Sequence, residues 1–385
     1  MPSESSTETV SQLVEALERR DAPKAQDLVG RILDQTPGPE AAVMLANAVA
    51  RVRAPEGVRL GMDVLAAESA RGKAAAEMAL ARVEAAQGRW EEAVRRLEEL
   101  AARRGSVAGL SEILGEVYAA WATHLFREER TLESLATARK ARQWAPESPD
   151  VRHVLGIAYF GLRQDSDARR ELEEAVRLAP ERADYWYDLA LVCLRLEDLE
   201  GAERALQRVL ALRPELAMAH LLLGRVYHNQ SRTESALQEF AAAERLAPKL
   251  RSLHYHIGFA YKAMGDNERA IGELEKEVAF HPDHIPARME LGELYVKANR
   301  PEQAIPHLQA VLEKVNSADV YYAYGKALHE VGRSEEALKA LQEASRLDPE
   351  MSEPYYLKAQ IYMKLGDRQA AQQELAMFRK VKRPK

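Results

Sequence analysis

A single pattern of about 34 residues recurs from residue 149 to the C-terminus. In its first copy, Leu155 and Gly156 are followed by Ala168, Leu172 and Pro180. The same order returns downstream as Leu223, Gly224, Ala236, Phe240 and Pro248. A unit with such a fixed period cannot bury its apolar face alone and stacks on copies of itself. The period therefore predicts a repeat solenoid, whose core grows with every added repeat.

Each repeat is predicted to be a helical hairpin. Counting Pro149 as place one, apolar residues recur at steps of three and four on both sides of a short polar turn at Gln164-Asp165-Ser166. Gly156 at place eight and Ala168 at place twenty are small, so the two helices can approach closely there. Pro180 cannot continue the second helix and marks its end.

Seven consecutive copies of this pattern fill residues 149–385. The pattern resembles the tetratricopeptide repeat, which has a bulky residue at place four, then L-G-x-x-Y, then A-x-x-x-F/L-x-x-A and a closing proline. The resemblance implies an all-α fold, an α-α solenoid of about eleven hairpins wound as a right-handed superhelix. It also implies that the first helix of each hairpin lines the concave side.

The match weakens toward the N-terminus. Residues 74–148 are expected to form two similar hairpins, the second with a first helix lengthened by two turns at about 109–128. Residues 1–73 are expected to form two degenerate hairpins, because terminal repeats are often atypical.

The composition limits the function. With 54 basic and 60 acidic residues, the net charge of −6 disfavours nucleic acid as a partner. The polar start of the chain, MPSESSTETV, lacks the order of a signal peptide, and no apolar run is long enough to span a membrane. Cys193 is the single cysteine, which fits a reducing compartment. We therefore expect a cytoplasmic protein.

No catalytic, cofactor or metal site is predicted. The pairs His254/His256 and His281/His284 invite a metal hypothesis, but His254 occupies place four, where bulky side chains pack between helices. Neither pair has a cysteine or an i, i+4 His/Glu partner at the usual ligand spacing. Cys193 falls at the buried place eleven, and the glycines are spread one per repeat instead of forming a phosphate-binding loop.

The concave side is the candidate binding surface. In the family that the pattern resembles, places two, five, nine, twelve and thirteen of the first helix face this side, and tyrosine recurs here at place five. The predicted groove residues are Tyr187, Leu191, Leu221, Arg225, His228, Tyr255, Phe259, Lys262, Met289, Glu293, Tyr322, Lys326, Tyr356 and Gln360. Exposed tyrosine and arginine dominate many protein interfaces. The alternative is that these tyrosines pack between neighbouring first helices. If they instead face the groove, replacing Tyr255 and Tyr322 by alanine should abolish partner capture at little cost in stability.

The favoured hypothesis is a non-enzymatic adaptor that holds an extended or helical segment of another protein. A nucleic-acid-binding solenoid is a second hypothesis, which would require basic residues to dominate the groove. A third is an assembly subunit that self-associates through its ends, since the last repeat is followed by no extra capping helix.

Overall fold

The computed structural model describes residues 4–382, with side chains from residue 7 onward. Every regular element within residues 4–382 is a helix. The chain divides into two compact units, an N-terminal unit at 1–212 and a C-terminal unit at 213–385. Their 22 helices confirm the predicted all-α solenoid of about eleven hairpins.

The N-terminal unit contains twelve helices. They are α1 (Glu4–Glu18), α2 (Ala22–Gln35), α3 (Gly38–Arg51), α4 (Pro55–Ala70), α5 (Ala74–Ala86), α6 (Trp90–Arg104), α7 (Leu110–Arg127), α8 (Thr131–Trp144), α9 (Pro149–Gly161), α10 (Asp165–Leu178), α11 (Ala183–Arg195) and α12 (Leu199–Leu212).

The C-terminal unit contains ten helices. They are α13 (Ala217–Asn229), α14 (Thr233–Leu246), α15 (Leu253–Ala263), α16 (Asn267–Phe280), α17 (Ile285–Lys297), α18 (Pro301–Leu312), α19 (Ala318–Glu330), α20 (Ser334–Leu347), α21 (Glu353–Leu365) and α22 (Arg368–Lys382).

From α7 onward, each odd-numbered helix packs most extensively on the even-numbered helix that follows it. The start of the chain departs from this rule, because α3 packs mainly against α5 instead of α4. Helix α5 is the reason: ten of its 13 residues are buried, and half of these are alanine. A helix that is apolar on all sides has to be enclosed by its neighbours, so α5 has almost no face left for solvent. Helix α7, with 18 residues, is the longest described helix and lies where a lengthened first helix is predicted.

The glycine at place eight sets the spacing of the two helices in a hairpin. A Cβ on Gly292 would lie 2.7 Å from the side chain of Leu308, and one on Gly325 would lie 2.8 Å from that of Leu341. Both leucines are fully buried. The second helix therefore rests against the bare backbone of the first.

The turn between the two helices of a repeat contains one residue with left-handed backbone geometry. In the repeat that begins at Pro149 this residue is Arg163, with φ of 61°. Of the predicted turn Gln164-Asp165-Ser166, only Gln164 lies between the helices, because α9 ends at Gly161 and α10 begins at Asp165. Acidic side chains are favourable in the first turn of a helix, which explains why this polar stretch opens α10.

In six of the seven repeats the side chain at place four joins the repeat to the preceding turn; the exception is the repeat at 318–351, which no closing proline precedes. This side chain donates a hydrogen bond to the backbone carbonyl of the closing proline six residues earlier, whether it is arginine, tryptophan, histidine or tyrosine. The pairs are Arg152 with Pro146 (2.9 Å), Trp186 with Pro180 (3.0 Å), His220 with Pro214 (3.1 Å), His254 with Pro248 (3.0 Å), Arg288 with Pro282 (2.6 Å) and Tyr355 with Pro349 (3.4 Å). The residue at place four is therefore bulky and also carries a hydrogen-bond donor near the end of its side chain.

We predict that Gly224→Ala lowers the free energy of unfolding by about 1–3 kcal/mol, because its Cβ would overlap the ring of Phe240, which is 1% exposed. Gly272 in α16 is the matched control, since a Cβ there meets no atom within 4 Å. Gly272→Ala should instead stabilise the protein by about 0.5–1 kcal/mol. Urea unfolding followed by circular dichroism measures both, and equal effects would contradict the close approach at place eight.

Candidate functional site

The fourteen predicted groove residues lie on the first helices of their hairpins. Tyr187 and Leu191 are on α11 in the N-terminal unit, and both are half-buried. Burial, reinforced by the charge of Asp188, raises the pKa of Tyr187. The other twelve residues lie in the C-terminal unit, on α13, α15, α17, α19 and α21.

Four of these twelve residues line one cavity of about 460 Å³ between α17, α19 and α21. They are Met289 and Glu293 on α17 and Tyr322 and Lys326 on α19. We call this cavity the α17–α21 pocket. Its remaining lining residues are Val296, Lys297, Ser317, Asp319, Ala323, Met351 and Glu353.

The α17–α21 pocket combines apolar and charged walls. Glu293, Asp319 and Glu353 carry negative charge, while Lys297 and Lys326 carry positive charge. The pKa of Glu293 is raised, first by burial and then by the neighbouring carboxylates, so its charge is poorly solvated and would gain from a cationic partner. Such an arrangement suits a segment that offers an apolar side chain together with charges of both signs.

The sequence analysis missed several of these lining residues, although the family's rule contained the signal. Asp319 and Glu353 stand at place two of their repeats, while Val296 and Lys297 stand at places twelve and thirteen. Recurring tyrosines drew attention to place five instead. Met351 lies in the loop before α21, where the helical places make no prediction.

Tyr255 on α15 is held by other rings. Its ring centroid lies 4.8 Å from that of Phe259, 5.2 Å from that of His256 and 5.1 Å from that of His284. The residue is half-buried, and it packs on the core formed by α16, α17, α18 and α19. Because of these contacts, removal of the Tyr255 ring is expected to cost stability, in contrast to the expectation from the sequence.

The residues beside Tyr255 are also engaged. Lys262 forms an ion pair with Glu290 and lies 5.2 Å from the Phe259 ring. Burial, together with nearby positive charge, lowers the pKa of His256 to about 3, so this imidazole is neutral at pH 7.

Helix α13 contributes less surface than its sequence indicates. Leu221 is 3% exposed and offers almost no area to a partner. Arg225 and His228 are half-buried, and burial lowers the pKa of His228. At the other end of the C-terminal unit, Tyr356 is 45% exposed, stacks 5.2 Å from the Phe378 ring and has the exposed Gln360 nearby on α21.

The conspicuous histidines serve the fold. His254, 2% exposed, bonds the Glu273 carboxylate through Nδ1 at 2.7 Å and the Pro248 carbonyl through Nε2 at 3.0 Å. His284 caps α17, since its Nδ1 accepts the backbone N–H of Ala287.

The described residues contain no group of three or more His, Cys, Asp or Glu side chains placed to hold a metal ion. Cys193 is buried, and burial raises the pKa of its thiol to about 11. None of the helices within residues 4–382 has the length and apolar character needed to cross a membrane.

The stacked hairpins define an all-helical repeat protein. The tetratricopeptide repeat model matches residues 153–214, 194–250, 257–319 and 289–352, and a second model of the same description matches 328–383. Together these matches span more than half of the chain. The chain belongs to the tetratricopeptide repeat family, and this membership supports a role as a protein-interaction scaffold.

Solved structures with related folds are distant. YrrB, described as a TPR protein with an unusual peptide-binding site, is 24% identical, with 50% of this chain and 95% of that chain covered and a TM-score of 0.43. PilF of Pseudomonas aeruginosa is 20% identical, with 55% and 97% covered and a TM-score of 0.49. The Cut9–Hcn1 hetero-tetramer of APC/C contains a chain that is 15% identical, with 99% and 94% covered and a TM-score of 0.44. A search of curated proteins finds no match.

We predict that His254 makes stability depend on pH. Burial lowers its pKa, but hydrogen bonds to Glu273 and Pro248 outweigh burial and raise the pKa overall. The folded state therefore holds its proton more tightly than the unfolded state. Its contribution is complete below about pH 6.5 and is lost as the pH rises through the raised pKa.

The measurement is the free energy of unfolding of wild type and His254→Gln across this range. The stability difference between the two proteins should shrink as the pH increases. A difference that is constant or grows with pH would show that the imidazolium is not the stabilising form.

We also predict that Tyr255→Ala destabilises the protein by about 2 kcal/mol, because three ring contacts are lost. Tyr356→Ala, at the more exposed place-five tyrosine, should cost less than about 1 kcal/mol. Chemical denaturation compares the two, and an equal or larger loss at Tyr356 would contradict the packing described for Tyr255.

Proposed function

We propose that this protein is a non-enzymatic adaptor that holds a segment of another protein in the α17–α21 pocket and recruits it into an assembly. The observation that carries the proposal is the meeting of four predicted groove residues, Met289, Glu293, Tyr322 and Lys326, around one cavity. The pocket offers surface for contact but no pair of groups arranged as nucleophile and base.

The size of the pocket favours a side chain or two as the inserted element. Its 460 Å³ lies toward the lower end of the usual range for ligand sites, about 300–1,000 Å³. Met289 and Met351 supply adaptable apolar contacts, while Tyr322 supplies a broad ring. The rest of the partner would continue along the first helices, in extended or helical form.

The charged residues of the pocket would make binding of a partner segment selective. Lys326 lies 3.9 Å from Glu330, a weak exposed pair that a carboxylate of the partner could replace. Glu293 would be stabilised by a lysine or arginine of the partner. Charged contacts of this kind favour one orientation of the bound segment and reject segments with the opposite order of charges.

Self-association is a second candidate, favoured by the apolar surface of the last described hairpin. Met363 and Leu365 are 54% and 55% exposed, and Met377 is 39% exposed. Ala371 is the one residue of α22 that is fully buried, and Leu375 and Phe378 are only half-buried. Nucleic acid remains the least favoured partner because the pocket carries more carboxylates than ammonium groups. A cytoplasmic site of action is part of the proposal, in keeping with the reduced Cys193.

The test is site-specific photocrosslinking in cell extract of the source organism. A photoreactive phenylalanine replaces Lys326 in the pocket or, as control, the exposed Lys339 on α20. We expect discrete protein adducts from position 326 alone. Introducing Tyr322→Ala and Glu293→Lys into the position-326 protein should reduce the yield at least about tenfold, roughly 1.4 kcal/mol of lost affinity.

Equal adducts from positions 326 and 339 would contradict binding at the pocket. Adducts made only of a second copy of this chain would favour self-association. Circular dichroism of the substituted protein establishes that it is folded, so a lost adduct reports lost binding.

A further inference from the structure

A second surface, in the N-terminal unit, has a chemistry that differs from that of the α17–α21 pocket. A groove of about 810 Å³ lies between α1, α3 and α7. We call it the α1–α3–α7 groove. It contains none of the predicted groove residues. A role for this groove does not depend on the function proposed for the α17–α21 pocket.

Two walls of the groove, α3 and α7, pack on the same buried helix, α5. They also approach each other at one point. The contact is between Pro39, at the start of α3, and Gly109, which precedes α7: a Cβ on Gly109 would overlap the Pro39 ring. Gly109 has φ of 75°, a geometry that suits glycine. One end of the groove is therefore closed by the Pro39 ring, which lies against the backbone of Gly109.

The floor of the groove is apolar. Val10 and Ile113 are 7% and 3% exposed, while Val43 and Met44 on α3 are half-buried and face the cavity. A cavity of 810 Å³ exceeds the volume of a single side chain. One or two turns of an amphipathic helix, with side chains at i, i+3 and i+4, would fit such a groove.

The rim of the groove is acidic. Glu40 and Glu112 are exposed and form no ion pair with any residue in the described part of the chain. Both lie in the first turn of their helices, near the end closed by Pro39 and Gly109. Glu116 also lines the groove but is paired with Arg82. Of the residues lining it, Arg51 is the one cation, about 16 Å from Glu40 along α3 at 1.5 Å per residue.

The groove also has polar groups ready for a partner. The Asn47 amide makes no hydrogen bond with another residue of the described chain, although it lies on the groove between Glu40 and Arg51. Its donor and acceptor are available to a bound segment. An occupant would thus meet carboxylates at the closed end, apolar side chains in the middle and a guanidinium at the far end.

We propose that the α1–α3–α7 groove binds a short amphipathic helix of a protein partner, with lysine or arginine in its first turn and large apolar residues on the face that follows. The basic residues lie against Glu40 and Glu112, and the apolar residues lie against Val43 and Met44. Electrostatic complementarity sets the orientation, while the apolar floor supplies most of the affinity.

The test uses two synthetic helical peptides and the full-length chain. Both peptides carry leucine at i, i+3, i+4 and i+7. The first has two lysines in its first turn, and the second has two glutamates at the same places. Fluorescence anisotropy should show the lysine peptide binding wild type at least about tenfold more tightly than the glutamate peptide, a difference of roughly 1.4 kcal/mol.

A charge-swapped variant distinguishes this groove from general attraction to an acidic protein. Glu40→Lys with Glu112→Lys should reverse the preference, so that the glutamate peptide binds more tightly. The control Glu91→Lys with Glu99→Lys makes the same change in net charge at exposed positions of α6 and should leave the preference intact. Since both variants alter solvent-exposed side chains, thermal melts establish that they fold.

Three results would overturn the proposal: no binding of either peptide to wild type, an unchanged preference in the Glu40/Glu112 variant, or an equal reversal in the control. Tyr322→Ala adds a separate check. A peptide whose binding depends on Tyr322, and not on Glu40 and Glu112, occupies the α17–α21 pocket and would count against the second site.

Discussion

The structure depends on the close approach of two helix backbones within each hairpin. In five of the seven repeats a glycine at place eight leaves the first helix bare, and a buried leucine or phenylalanine from place twenty-four of the second helix fills the space. The other two repeats have the small Ala190 and Ala359 at this place, both fully buried, and a larger side chain would push the helices apart by more than close packing tolerates. The side chain at place four then joins the hairpin to the preceding turn through the proline carbonyl. These two contacts repeat through most of the pattern, so each repeat presents its first helix in the same way.

The beginning of the chain solves the packing problem differently. Helix α5 is rich in alanine and has few bulky residues to form one apolar stripe, so it is buried on nearly all sides. Its neighbours α3, α4, α6 and α7 all pack on it, and Gly109 permits a close contact with Pro39 at the start of α3. Regular hairpin packing is lost here, because α3 packs mainly on α5 instead of α4. The consequence is a groove with an apolar floor and an acidic rim in place of a uniform inner wall.

The tyrosine rings at place five have two roles in the C-terminal unit. Tyr255 is part of an aromatic cluster with Phe259, His256 and His284, whereas Tyr356 is 45% exposed. The same place in the repeat therefore hosts a structural ring in one hairpin and an accessible ring in another. Tyr322 lies between these extremes, because it packs on the adjacent core and also lines the α17–α21 pocket.

The sequence by itself determined the fold class and the family, because small and apolar residues at fixed spacing report helix packing directly. The repeat pattern placed Met289, Glu293, Tyr322 and Lys326 on the same side of successive helices. In the structure these four residues line one pocket. Tertiary structure alone decided that Leu221 is buried, that Tyr255 is held by other rings and that α3 and α7 both pack on a buried α5. Those outcomes depend on contacts between side chains far apart along the chain, and a periodic pattern holds no information about how neighbouring helices close over one another.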